Sequence, residues 1–232
     1  MSSKERHERD RQRIQKAILD AARDLFIQEG YQHVSLRKIA DRIEYSPAAI
    51  YSYFASKDDI FFALAAEGFH ILAHGVVAAV RDVPDPFERL RRGLWAFYQF
   101  AKTHPEYFAL MFLDRSVPSL SQDFQRFEFF QQTTARAEAD IRACIERGQF
   151  SSALNTGAAL HVLWAGVLGA AAIGLGQRLA PGENPDALAR DVLESLLAGF
   201  TTPVTTTFVA ADCALMSSEP AASPETETTK HA

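Results

Sequence analysis

Residues Ser35 to Lys57, SLRKIADRIEYSPAAIYSYFASK, constrain this chain more than any other stretch. Leu36, Ile39, Ala40 and Ile43 recur at i, i+3, i+4 and i+7, which lays them on one face of a helix. Ser35 precedes that run as an N-cap, its hydroxyl placed to accept from an orphan backbone N–H. Ser46-Pro47 is a second helix start, a capping serine with proline at the first helical position. Ile50 and Phe54 supply an i, i+4 apolar pair and turn Ala48, Ala49, Tyr51, Ser52 and Tyr53 away from the core. Two short helices and a turn of about four residues are what a helix-turn-helix requires, its second helix lying in a major groove. Ser56-Lys57-Asp58-Asp59 opens a third helix with a capping box and acidic residues at its positive end.

The rest of the chain is also helical in pattern. Residues 1–13 are charged and poor in apolar groups, with Lys4, Arg6, Arg9, Arg11 and Arg13 interleaved with Glu5, Glu8 and Asp10. Such a segment is either a solvated helix start or a basic arm that touches phosphates or enters a minor groove. Ile14, Ile18, Ala22 and Leu25 mark a first helix, which Gly30 closes. Ile60, Leu64, Gly68, Ile71, Leu72 and Val76 carry the helix opened at Ser56 to about Val80.

Asp82 to Pro86 breaks the chain, and Asp85, Pro86 and Glu88 form the N-cap, N1 and N3 of a new capping box. Leu90, Leu94, Phe97 and Ala101 follow on one face. His104-Pro105 interrupts, and Glu106 to Leu113 makes a short apolar helix. The pattern predicts further helices over about Gln122–Arg147, with Phe124, Phe127, Phe130, Ala137, Ile141 and Ile145, and over about Ser152–Arg178. Asn184-Pro185 caps a last helix marked by Leu188, Val192, Leu196 and Phe200. Beyond Pro203 the Thr, Ser, Ala, Pro and Glu content leaves little to bury, so 206–232 reads as a disordered tail. The expected fold is all-α: a three-helix helix-turn-helix domain over 1–56 and a helical bundle over 57–205.

Composition excludes several classes. Residues 1–60 carry a formal charge of +1 and the remainder −6, giving −5 overall. A nearly neutral head on an acidic body binds DNA only if its few cations face the phosphates. Cys144 and Cys213 have no metal spacing and form no disulfide framework. The alternative is a redox sensor at Cys144, which requires an exposed thiolate. His70 and His74 stand at i, i+4 without a third ligand, so no metal and no cofactor is expected. The uncharged run Val162 to Gly176 is shorter than a membrane span and lacks basic flanks. The chain opens on charged residues rather than a signal peptide, and a cytoplasmic protein without membrane contact is expected.

The order Ser35, Ile39-Ala40, Ser46, Ile50-Tyr51, Tyr53-Phe54 and Lys57, with Gly30-Tyr31 upstream and Asp58-Asp59-Ile60 downstream, resembles the DNA-binding domain of the tetracycline-repressor (TetR) family. The motif covers roughly the first quarter of the chain. One departure is Glu44, where the family usually has glycine. Either Glu44 takes a left-handed backbone conformation at a cost, or the turn has another shape.

The resemblance implies roles. Arg37 and Tyr51 would reach bases, with Pro47, Ala48 and Ala49 nearest the groove floor. Ser35, Ser46, Tyr53 and Lys57 complete the DNA-binding set, with Ser35, Tyr53 and Lys57 on phosphates. His104 to Phe108 and Trp164 to Gly169 are similar to ligand-binding halves that carry a Trp-x-x-x-His-Gly motif, although Leu168 replaces its His. The implied pocket draws on Trp95, Tyr98, Phe108, Met111, Phe112, Phe127, Phe130, His161, Trp164 and Leu168. The last two helices would pair with a second copy through Gly166, Gly169, Ala170, Ile173, Val192, Leu196 and Phe200. The expected protein is a homodimeric repressor of a palindromic operator, released by a small apolar or aromatic ligand.

A helical enzyme or scaffold with only a coincidental helix-turn-helix is the competing class. The sequence has no Ser/His/Asp, Cys/His or glycine-rich phosphate signature. His104, Glu106 and His161 would make an acid–base site only if the fold brought them together.

Overall fold

The computed structural model describes residues 3–117 and 128–203, and all regular structure among them is helical. The expected tail at 206–232, with Phe124 and Phe127, lies outside these residues. The first helix, α1 (Ser3–Glu29), starts well before the apolar stripe. A single tight turn, Tyr31–His33, leads into α2 (Leu36–Arg42) and α3 (Pro47–Tyr51).

Both short helices start where the capping serines predict. The Ser35 side chain accepts from the Lys38 N–H and the Ser46 side chain from the Ala49 N–H. Ile18, Ala22, Ile39, Ala40 and Ile50 are fully buried behind them, so the spacing that suggested two helices also builds the core of the head. The turn answers the question that Glu44 raised. Its φ is 60°, a left-handed conformation. The Glu44 N–H bonds to the Asp41 carbonyl and the Tyr45 N–H to the Ala40 carbonyl, which is a complete Schellman cap on α2. Left-handed backbone costs an L-residue roughly 1–2 kcal/mol. Glu44→Gly should therefore stabilise the head by about 1 kcal/mol, seen as a rise of a few degrees in melting temperature.

The body begins with α4 (Lys57–Val80), capped by Ser56, whose side chain accepts from the Asp59 N–H. Then come α5 (Pro86–Thr103), α6 (Pro105–Phe108) with a π-helical turn over Ala109–Leu113, α7 (Glu128–Glu146), α8 (Thr156–Leu175) and α9 (Pro185–Gly199). α5 lies at the centre and packs against α4, α7, α8 and α9. The core runs unbroken from Ile18 in the head to Leu197 in α9. By length and composition α4 and α8 could each cross a membrane. Much of α4 is instead buried in this core, with Ile60, Phe61, Leu64 and Ala65 fully enclosed.

Three expectations need correction. The helix expected from Ser152 begins at Thr156, because Asn155 accepts from the Ala158 N–H and fixes the start there. It ends at Leu175 rather than Arg178. The capping box of α5 is only half made. Asp85 accepts from the Glu88 N–H, but the Glu88 carboxylate turns to Arg91 and Arg92, whose guanidiniums are stronger partners than a backbone N–H. The apolar helix after Pro105 is two pieces, four α-helical residues and a π turn.

Candidate nucleic-acid interface

One exposed face of the head is made by the first turn of α2 and the solvent side of α3. Arg37, Lys38, Ser46, Ala48 and Tyr51 are exposed, Pro47, Ala49 and Tyr53 are half-buried, and Ser35 is exposed at its cap. Tyr51 keeps 59% of its surface in solvent, although tyrosine is normally far more buried. Nothing in the head's own packing requires it there. The cap hydroxyls of Ser35 and Ser46 are occupied by backbone N–H groups, so each retains acceptor capacity and a free-turning O–H donor.

Lys57 is held differently from a free surface lysine. Its Nζ donates to the Tyr31 carbonyl at 2.8 Å and lies 4.0 Å from the Tyr31 ring centroid. The Tyr31 hydroxyl in turn donates to Asp58. Burial, and then Asp58, hold the Tyr31 phenol above its ordinary range, so it stays a proton donor. The start of α4 is thereby locked to the turn that follows α1.

Further contacts tie head to body. The Arg23 guanidinium of α1 donates to the Tyr107 hydroxyl of α6 at 2.9 Å. Burial, and then a hydrogen bond to Glu67 of α4, push the Tyr107 phenol up to about 12. Gln32 donates to the Ser116 carbonyl at 2.7 Å. At Gly68 of α4 a Cβ would stand 2.3 Å from the Met111 Sδ, so α4 and the π turn touch because the residue is glycine. Tyr107 of α6 is thus in contact with both α1 and α4. None of these partners is adjacent in sequence, and no local pattern marks them.

The expected pocket residues divide. Tyr98, Phe108 and Met111 are buried. Phe112 joins Phe69, Phe97, Phe108 and Trp164 in edge-to-face or tilted contacts between 5.3 and 6.1 Å. Leu168 is half-buried against the core, whereas His161 is exposed with its Nδ1 2.8 Å from the Gly157 carbonyl. Trp95 faces outward under the Arg190 guanidinium, 4.6 Å away. It lines an open trough of about 580 Å³ along α5, with Ile71 and Gly75 of α4 and Leu193 of α9. The Tyr98 hydroxyl donates to Asp186 of α9. Phe127 lies outside the described residues, as does the side chain of Phe130.

The small residues of α8 serve two purposes. A Cβ on Gly166 would stand 2.4 Å from Leu196 Cδ1 and 3.2 Å from Val192 Cγ1 of the same chain, so Gly166 lets α9 approach. Ala170 and Phe200 are buried within the protomer. Gly169 opens on empty space and Ile173 is exposed, so they face outward.

Among the described residues no group of three or more His, Cys, Asp or Glu could hold a metal. Cys144 is fully buried, and burial, then Asp85 and Asp140, push its thiol up to about 12. With Cys213→Ser as background, Cys144 should resist thiol labelling until the protein is unfolded. Rapid labelling of the native protein would restore the redox-sensor reading.

Comparison with known proteins agrees with this geometry. The model of bacterial regulatory proteins of the tetR family matches residues 18–64, and that of the tetracyclin repressor-like C-terminal domain matches 90–196. The chain is 33% identical over 104 residues to the HTH-type transcriptional activator FasR of Mycolicibacterium smegmatis, covering 45% of this chain and 47% of that protein. It is 32% identical over 136 residues to the nucleoid occlusion factor SlmA of Edwardsiella ictaluri, covering 55% and 67%. The match thus spans about half the length of FasR and two thirds of SlmA. The transcriptional regulator FadR of Bacillus subtilis, solved in complex with stearoyl-CoA, superposes with a TM-score of 0.65 at 19% identity, covering 79% of this chain and 98% of that one. At that identity the likeness is one of fold.

Proposed function

We propose, from the premise that this chain belongs to the TetR family of bacterial DNA-binding transcriptional regulators, that it is a cytoplasmic homodimeric repressor. It binds a palindromic operator and is released by a small apolar or aromatic ligand. The observation that carries the reading is the exposed group Arg37, Ala48 and Tyr51, held over a fully packed core. Ser35, Ser46, Pro47, Ala49, Tyr53 and Lys57 complete the DNA surface.

One short reading helix binds weakly. Two of them related by a two-fold axis read half-sites about 34–36 Å apart. The outward side of α8, with Gly169 and Ile173, together with Val192 and Leu196 at its border with α9, is the surface we assign to the second copy. The ligand enters the aromatic layer of Phe108, Phe112 and Trp164. An apolar ligand suits this fold, since FadR of B. subtilis was solved with stearoyl-CoA. It acts by moving α6, and through Tyr107 and Gly68 moves α1 and α4. To shift the dimer it must bind the DNA-incompetent spacing better than the competent one.

The test starts with duplexes selected by the protein from a randomised pool. Binding is then measured with and without long-chain fatty acids, their CoA thioesters and aromatic acids. Release by one of these supports the proposal, and ligand-blind binding across all of them sinks it. FasR is named an activator, so a reporter under the selected operator decides the direction: repression predicts a rise in output when the protein is absent.

A further inference from the structure

The geometry points to a second DNA-contacting element, the amino-terminal extension of α1, which we infer grips phosphates of the duplex flanking each half-site. The inference rests on the DNA-binding reading above and adds to it an element outside the helix-turn-helix. α1 is continuous from Ser3, yet residues 4–13 are all exposed and core contact starts only at Ile14. Ten helical residues rise about 15 Å, so the helix runs that far beyond its last core contact.

The face of this overhang is what matters. At 100° per residue, Lys4, His7, Arg11, Ile14 and Ile18 fall within an arc of about 80°. The stripe that is apolar where α1 packs on the head therefore becomes cationic where α1 leaves it. Glu8 and Asp10 flank the stripe, and each has a nearby partner on the same helix: Gln12 donates to Glu8, and Arg13 pairs with Asp10 at 3.8 Å. Neither Lys4 nor Arg11 has a carboxylate partner among the described residues.

The direction of the stripe is fixed by one contact. The Arg11 guanidinium lies 5.8 Å from the ring centroid of Tyr53, which closely follows the reading helix α3. The overhang therefore passes beside the edge of the DNA surface. Stacking occupies the face of the guanidinium and leaves its N–H edge free for a phosphate. Because the segment is helical and about 10–12 Å wide, it does not fit as a helix in a minor groove about 6 Å wide. Phosphates are the partners left. The chain as a whole carries −5, so two cations here without carboxylate partners would matter more than on a basic protein.

The experiment uses the full chain and a pool-selected duplex in two forms, one with about ten flanking base pairs on each side, roughly one helical turn, and one trimmed to the protected core. Lys4→Gln with Arg11→Gln, and separately the charge reversals K4E and R11E together, are compared with the wild type. Circular dichroism confirms that helix content is unchanged. On the long duplex the slope of log affinity against log salt should fall by about 0.9 for each phosphate no longer neutralised, near 1.8 per protomer, with roughly tenfold weaker binding per phosphate at about 0.1 M salt. On the trimmed duplex the variants and wild type should bind alike. The rank order of selected sequences should not change. Equal slopes on the long duplex, with the preference dependent on Arg37 intact, would overturn the proposal and leave the head's reading standing. Failure of the wild type to enrich any duplex would instead remove the DNA reading, and the proposal with it.

Discussion

Asp140→Ala should destabilise the body by about 3–5 kcal/mol in equilibrium denaturation, a loss of roughly 150- to 5,000-fold in the folding constant. Asp140 is the charged residue buried most deeply among those described, at 8% exposure. It stands on α7 and receives two donors from Arg89 of α5, Nε at 2.9 Å and Nη2. The third guanidinium nitrogen of Arg89, Nη1, donates to the carbonyls of Val83 and Pro84, each at 3.0 Å, in the link between α4 and α5. One guanidinium thus holds α5, α7 and the link from α4 together. Removing the carboxylate leaves a largely desolvated cation, and that penalty exceeds what the pair contributes when whole. The double replacement Arg89→Met with Asp140→Leu should recover much of the loss, since the uncompensated charge is gone. If the double variant were no more stable than Asp140→Ala, packing rather than charge would account for the effect.

The two halves of this structure differed in how legible they were. In the head, contacts are local. Ser35 reaches Lys38, Ser46 reaches Ala49, and Ile39 and Ile50 meet across a turn of a few residues, so periodicity and capping were enough to place α2 and α3. The unusual Glu44 was visible as a departure, but its φ could not be read from residue type, because a left-handed glutamate and a reshaped turn have the same sequence. In the body, helix starts were legible from Asp85-Pro86 and Asn184-Pro185, since a cap acts within three residues. The struts were not. Arg23 and Tyr107, or Arg89 and Asp140, are brought together only by the folded core, and nothing local distinguishes them from solvated charges. The amphipathic stripe of α1 was also hidden upstream of Ile14, because apolar repeats stop there while the same face continues in cations.

Arg37→Ala should relax base preference by about 5- to 150-fold, the equivalent of one good bidentate contact of about 1–3 kcal/mol, while costing little stability. Arg37 is exposed in the first turn of α2, and no intramolecular partner restrains it among the described residues. The other residues assigned near the groove offer little hydrogen-bonding code. Ala48 and Ala49 give only apolar contact, as to a thymine methyl, and Pro47 has no N–H. Tyr51 contributes one hydroxyl. On this assignment Arg37 carries most of the direct readout, and its loss should compress the spread of affinities across single-base operator variants. Lys57→Ala should behave differently. One of its three N–H donors is fixed on the Tyr31 carbonyl, which leaves two for a phosphate. Its removal should weaken every duplex alike and lower the salt slope by about 0.9 per phosphate, without changing their order. Competition binding over a salt series separates the two effects. If both variants kept wild-type affinity and preference at every salt concentration, the surface made by α2 and α3 would not be what reads DNA.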